Sequence, residues 1–226
     1  MKNKIILVTP TYKRSGRVGY IKRMINYINE YNYAVIVQVI VEDDTYCNTD
    51  LYKIIKENAH YATIYIASGP TKDKGNVQRS LAYDLIEQSN SSGIIYNMDD
   101  DNGIGQGLFR ILSGVSRLAI FPVHNLGPNG VEQPIVENNK IVGWDAGWLS
   151  RKYPVDMGGF AFHSDALHLI RKNYRLWDWS GIGGENEMII KVLSAFNMSD
   201  NDIELPSLML GKNDPYIVYH NLELKK

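Results

Sequence analysis

The chain has a single cysteine in 226 residues, Cys47, which excludes an intramolecular disulfide framework and is compatible with a reducing compartment. Long apolar runs are missing as well. No stretch approaches the roughly 18 uncharged apolar residues of a membrane-spanning helix. The N-terminus passes from Met1-Lys2-Asn3-Lys4 straight into the short run Ile5–Val8, which cannot serve as a signal-peptide core. A formal net charge of −1 supplies no bulk attraction to nucleic acid or to an anionic membrane. These absences lead to the expectation of an unexported chain without a membrane span or a nucleic-acid partner. It is placed in the cytoplasm, at most peripheral to the inner face of a membrane.

The common phosphate-binding loops are also absent. Gly103-Ile104-Gly105-Gln106-Gly107 has Leu108 where a dinucleotide fingerprint needs its third glycine, and no Gly-Lys-Ser/Thr loop occurs. An EF-hand counted from Asp99 would end on Arg110 instead of a bidentate glutamate. His60, His124, His163 and His168 show no metal-ligand spacing.

Apolar patterning is abundant: hydrophobic residues make up 44% of the chain, enough for a sizeable core in one large domain or two fused halves. The first hundred residues alternate strand and helix. Ile5–Val8 reads as a strand stopped by Pro10, Ile21, Met24, Ile25 and Ile28 as one helical face, and Val35–Val41 as a buried parallel strand. A helix over 51–57, a strand over 63–67, a helix marked by Val77, Leu81 and Leu85, and a strand at Ile94–Tyr96 follow. This is the pattern of an α/β fold built on an open, mostly parallel sheet. Beyond Asn102 the texture is mixed: a short helix at Leu108–Leu112, strands at Leu118–Phe121, Gly158–Phe162 and Ile217–Tyr219, and a hairpin turning on Asn138-Asn139. Residues 1–102 and 103–226 are therefore read as two halves of one compact domain.

Two of the parallel strands run into acidic clusters, Glu42-Asp43-Asp44 and Asp99-Asp100-Asp101. Ligands of open α/β sheets bind outside the carboxyl ends of the strands, so both clusters are expected at one crevice. Three adjacent carboxylates repel unless solvent or a cation neutralises them. A divalent metal held against a phosphate is the functional reading, and a solvated acidic turn before Asn102-Gly103 is the structural one. Lys72, Lys74 and Arg79 lie on a loop leading into the first turn of a helix, whose free N–H groups favour phosphate.

Several pieces, in order along nearly the whole chain, resemble glycosyltransferase family 43, the β-1,3-glucuronosyltransferases. They are Val8-Thr9-Pro10-Thr11-Tyr12, Val41-Glu42-Asp43, Gln78-Arg79 with Leu81-Ala82, Asp99–Asn102, and the long piece from Phe121-Pro122-Val123 through Val142-Gly143 to Pro154–Phe160. The resemblance implies a two-lobed GT-A nucleotide-sugar fold and an inverting transferase dependent on Mn²⁺. It implies a UDP-sugar donor, with glucuronic acid leading and xylose or galactose as alternatives, and a glycan or glycolipid acceptor. In the donor site, which also takes in Pro10, Tyr12 would pack on the uracil and Asp43 would hydrogen-bond its edge. Asp100 would lie near the ribose and Asp99 would orient Arg79. Arg79 and His220 would contact the diphosphate, with Lys74 standing where the family has arginine. Asp101 would be the metal ligand. Glu132, Arg151 and Asp156 match acceptor-contacting positions. The family also forms homodimers. A non-catalytic sugar- or nucleotide-binding module is the competing class, against which the joint presence of Asp101, Glu185 and His220 argues. With no anchor in the sequence, a microbial surface glycan is the expected product.

Periodicity selects the base. From Glu185, the positions i+3, i+4, i+7 and i+8 are Met188, Ile189, Val192 and Leu193, an apolar stripe. Glu185 thus faces inward in the first turn, while Glu187, about 200° away, faces water. Family alignment also favours Glu185. Trp144, Trp148, Trp177 and Trp179 are candidates for a sugar-stacking platform as well as for core packing.

Overall fold

The computed structural model describes residues 4–31, 35–71, 75–105, 107–124, 126–173, 184–206 and 218–220. Its elements are β1 (Ile5–Thr11), α1 (Arg17–Asn29), β2 (Ile36–Glu42), α2 (Thr49–Asn58), β3 (Ala62–Ala67), α3 (Asn76–Gln88), β4 (Ile94–Asn97), β5 (Gly103–Ile104), α4 (Leu108–Gly114), β6 (Leu118–Ile120), β7 (Val123–His124), β8 (Val131–Glu137), β9 (Lys140–Asp145), β10 (Phe160–His163), α5 (Asp165–Asn173), α6 (Gly184–Ala195) and β11 (Val218–Tyr219). The main sheet has the order β3-β2-β1-β4-β10-β6 and the second sheet β5-β11-β7-β8-β9. Strands β1 to β4 are mutually parallel, as the alternation of strands and helices requires, and β10 joins β4 antiparallel.

The main sheet is buried on both faces. On one, Ile21, Met24, Ile25 and Ile28 of α1 pack with Leu7, Ile40 and Tyr96; on the other, Ala82, Tyr83 and Ile86 of α3 pack with Val8, Val39 and Ile95. The α1 stripe is the one its spacing predicts. In α3 the inward face is rotated from the expected one. Gln78, Arg79, Ala82, Tyr83 and Ile86 are buried, while Val77 is 37% exposed. The polar Gln78 and Arg79 displace the apolar periodicity because they face the site instead of the core.

Pro10 does not end β1, which continues to Thr11 in register with β2, pairing Pro10 with Val41 and Thr11 with Glu42. Strand β4 pairs with β1 only as far as Val8. Pro10 has the same parity as Val8, so its missing N–H falls on the side that β4 has already vacated, where nothing is lost. The expected strand from Gly158 begins only at Phe160, after a 3₁₀ turn over Met157–Gly159 that the Asp156 side chain caps through the Gly158 N–H at 2.8 Å. Asn138 and Asn139 turn the β8–β9 hairpin, both with positive φ (51° and 60°), as a two-residue type I′ turn demands. The two-residue strands β5 and β7 are too short to carry an apolar period, and α5, which buries Ala166, Leu167 and Ile170, is an element that the sequence reading did not include. No described helix is long and apolar enough to cross a membrane.

Candidate active site

The carboxyl ends of β1, β2 and β4 and the start of α3 surround a cavity of about 520 Å³. Pro10, Tyr12, Asp43, Arg79, Asp99, Asp100, Asp101 and His220 line it, so the structure gathers these separately named residues around one space. Thr11, Arg14, Thr71, Gly75 and Gln78 line it too, and sequence reasoning assigned none of them a role. Lys74, Trp177 and Trp179 lie outside the described residues.

The second acidic cluster divides. Of its members only Asp43 is among the residues lining the cavity. Glu42 is 1% exposed and turns inward, accepting from Arg17 Nη1 at 2.6 Å, from the Asn48 N–H at 2.8 Å and from the Tyr65 hydroxyl. It is a structural ion pair joining β2 to α1, α2 and β3. Asp43 Oδ1 accepts from the Thr71 N–H at 2.7 Å and from Gln78 Nε2 at 2.9 Å.

The aspartate triplet is distributed among basic partners, which is how the fold tolerates it. Asp99 pairs with Arg79, and Arg79 is only 5% exposed. Burial opposes the charge of that guanidinium, but Asp99 beside it prevails and holds its pKa above the ordinary value. Asp100 is 2% exposed, accepts from Thr11 Oγ1 at 2.6 Å and pairs with Arg14. Burial pushes its carboxyl up to about 7 against the pull of Arg14 and Thr11. Asp101 Oδ2 lies 3.0 Å from Arg14 Nη2, and its carbonyl accepts from Arg23 Nη2 at 2.9 Å. Arg14 stacks over the Tyr12 ring at 4.5 Å and the Tyr20 ring at 5.2 Å. The signal that marks it in sequence is its place, a basic residue just past Tyr12 at the mouth of β1.

Gly75 explains how Arg79 lies across the helix start. It caps α3 at φ 94°, and a methyl group there would sit 2.7 Å from Arg79 Nη1 and 3.3 Å from Pro10 Cγ. Only glycine satisfies both the left-handed backbone and the close approach.

A second group adjoins the cavity. Asp156 Oδ2 lies 3.5 Å from His220 Nδ1, and burial together with Asp99 raises the Asp156 pKa. Glu132 on β8 is 4% exposed and is pushed up to about 7, first by burial and then by Asp156. Glu185, in the first turn of α6, has Oε2 3.3 Å from Arg151 Nη1. Met188, Ile189, Val192 and Leu193 are all buried and Glu187 is exposed, as the periodicity requires. His220, which lines the cavity, is the bridge between the two groups through Asp156, and the Glu185 charge acts on Arg79, Asp156 and Glu132. Trp148 is 56% exposed with Arg151 at 5.1 Å over its ring, whereas Trp144 packs edge-on against the buried Tyr153.

No group of three or more His, Cys, Asp or Glu side chains among the described residues is arranged to hold a metal alone. Asp99 and Asp101, each paired with an arginine at the cavity wall, carry the hard carboxylate oxygens that a divalent cation would take as ligands.

The model of glycosyltransferase family 43 matches residues 35–204. Among curated proteins, galactosylgalactosylxylosylprotein 3-beta-glucuronosyltransferase P of Drosophila melanogaster is 28% identical over 173 residues, covering 70% of this chain and 34% of the relative. Galactosylgalactosylxylosylprotein 3-beta-glucuronosyltransferase 2 of Homo sapiens is 27% identical over 169 residues, covering 70% and 52%. The chain thus spans about half or less of the length of the curated relatives it matches. Among solved structures, S. aureus TarS 1–349 in complex with UDP superposes with a TM-score of 0.55 at 13% identity, covering 97% of this chain and 60% of that one. A 4-diphosphocytidyl-2C-methyl-D-erythritol synthase gives 0.54 at 13%, covering 100% and 94%. At such identities the likeness is one of fold, the GT-A type.

Proposed function

The chain belongs to glycosyltransferase family 43, and on that premise we propose that it is an inverting transferase moving a sugar from a UDP-sugar to a glycan hydroxyl. Glucuronic acid is the leading donor, since the curated relatives are named as glucuronosyltransferases. What supports the reading is the gathering of Asp43, Arg79, Asp99–Asp101 and His220 around one cavity, with Asp156 3.5 Å from His220 at its edge.

In this reading Tyr12 and Asp43 take the uracil, Arg79 and His220 take the diphosphate, and Lys74 is assigned to the diphosphate by the family resemblance alone. Asp101, with Asp99 next to it, would hold Mn²⁺, which supplies neutralising charge to the leaving diphosphate. Glu132, Arg151 and Asp156 orient the acceptor, and Trp148 offers its exposed face to a pyranose ring. Glu185 removes the proton from the acceptor hydroxyl as that oxygen bonds to the sugar C1. The bond from C1 to the diphosphate oxygen breaks on the opposite side, UDP departs with the electron pair, and an α-linked donor gives a β-linked product. Arg151, within reach of Glu185 in the free site, keeps that carboxylate aimed until the acceptor arrives. A microbial surface glycan is the proposed product class.

The test is UDP release from a panel of UDP-sugars mixed with galactosyl-terminated acceptors. Transfer by the unaltered protein with loss in Glu185→Gln supports the proposal. Full transfer by Glu185→Gln would remove the assigned base.

A further inference from the structure

We propose that Gln78 is a positioning residue that sets nucleobase selectivity: by fixing the orientation of the Asp43 carboxylate it makes the cavity accept uracil and reject cytosine. The inference rests on the nucleotide-sugar reading above and concerns how that site discriminates among pyrimidines.

Gln78 is 1% exposed on the inward face of α3, and its side chain ends at the cavity wall. Nε2 donates toward three acceptors: Asp43 Oδ1 at 2.9 Å, Ser68 Oγ at 3.0 Å and Thr71 Oγ1 at 3.3 Å. The opposite amide rotamer would press Oε1 against the Asp43 carboxylate, so the network assigns the nitrogen to this side. Oε1 is buried without a hydrogen-bond partner among the described residues. A buried acceptor left unmatched costs free energy, and the fold retains it to keep a donor on Asp43.

The consequence falls on Asp43. Its Oδ1 receives Gln78 Nε2 and the Thr71 N–H together, from α3 and from the loop after β3. Its Oδ2 takes no hydrogen bond from a described residue. One oxygen is therefore anchored from two directions, and the other is presented in a single orientation. Uracil and cytosine differ at the edge such a carboxylate would read. Uracil N3 carries a proton and O4 accepts; cytosine N3 is a lone pair and its 4-amino group donates. A carboxylate free to swing would find the amino group and bind either base. A carboxylate clamped at the N3 position meets a donor in uracil and a lone pair in cytosine. Asp43 supplies the acceptor, and Gln78 supplies the discrimination.

Titration of UDP and CDP into the full chain by calorimetry, with Mn²⁺ and again with EDTA, tests this without relying on turnover. The unaltered protein should favour UDP by about 100-fold or more, since a site built to hydrogen-bond a group rejects the analogue lacking it. Gln78→Met, with a similar length and no donor, should narrow that ratio about tenfold. UDP should weaken while CDP holds or tightens, with the circular dichroism spectrum retained. Asp43→Asn with Gln78 intact gives an independent sign. Gln78 Nε2 and the Thr71 N–H would hold the new amide's oxygen, turning its –NH₂ toward the base and shifting preference to CDP. Equal losses of UDP and CDP in both variants, or an unchanged ratio in Gln78→Met, would overturn the inference and leave Gln78 a packing residue. An unaltered protein that binds neither nucleotide would overturn the nucleotide-sugar reading and this inference with it.

Discussion

Glu185 and Glu187 stand on the same turn of α6, and only one of them shares a site with Arg151. Replacing the base should therefore separate binding from chemistry. Glu185→Gln is expected to lower kcat by about 10² to 10⁴ while leaving UDP affinity within about twofold, whereas Glu187→Gln leaves both unchanged. Steady-state kinetics beside calorimetry checks this, and a matching loss in Glu187→Gln would reverse the assignment. Glu132 makes a prediction of a different kind. Its carboxyl is pushed up to about 7 from an ordinary 4.5, so the folded protein holds this proton more tightly than the unfolded chain does. Its stabilising contribution is complete below the unfolded value and is lost as pH rises through about 7. Glu132→Gln keeps a neutral side chain at every pH. The Tm difference between this variant and the unaltered protein should consequently move in the variant's favour from about pH 5 to about pH 8. A difference that is flat in pH would contradict the buried, carboxylate-crowded setting of Glu132.

At the scale of elements, two local devices shape the cavity wall. The Arg17–Glu42 pair, 7% and 1% exposed, joins the start of α1 to the end of β2 immediately before Asp43. Arg17→Met would strand a buried carboxylate and is expected to cost about 3–5 kcal/mol of stability in denaturant unfolding. A loss below about 1 kcal/mol would show that Glu42 finds other compensation. Gly75→Ala strains a left-handed backbone position and drives a methyl into Arg79. UDP affinity should fall about tenfold or more while the fold persists, because the guanidinium that pairs with Asp99 is displaced. Unchanged affinity would mean that Arg79 does not meet the diphosphate. These devices also mark the limit of what the sequence discloses. The strand and helix alternation, the α1 and α6 stripes and the Asn138-Asn139 turn are legible because each is a local period or a dipeptide with one backbone solution. The α3 face is not, because Gln78 and Arg79 are buried for partners distant in sequence, Asp43 and Asp99. Glu42 reads as a site carboxylate until Arg17 and Tyr65, 25 and 23 residues away, claim it. Pro10 misleads for the same reason, since its tolerance depends on where β4 stops.

Over the whole molecule, the acidic triplet is the point on which the account turns. The chain before and after Asn102 meets in the main sheet, where β6 and β10, both from beyond Asn102, extend the strand order that starts with β3. His220 directly follows β11, which pairs with β5 and β7 in the second sheet, so the cavity draws lining residues from both sheets. The family match over residues 35–204 covers Asp43 through Glu185 but neither Tyr12 and Arg14 nor His220, so for those three the cavity itself is the argument. The measurement that tests the central claim most directly is calorimetric titration of UDP and a panel of UDP-sugars, run with Mn²⁺ and with EDTA. The account predicts UDP binding that weakens at least about tenfold when the metal is removed, with UDP-glucuronic acid the tightest of the sugars. Absence of UDP binding in both conditions would contradict it.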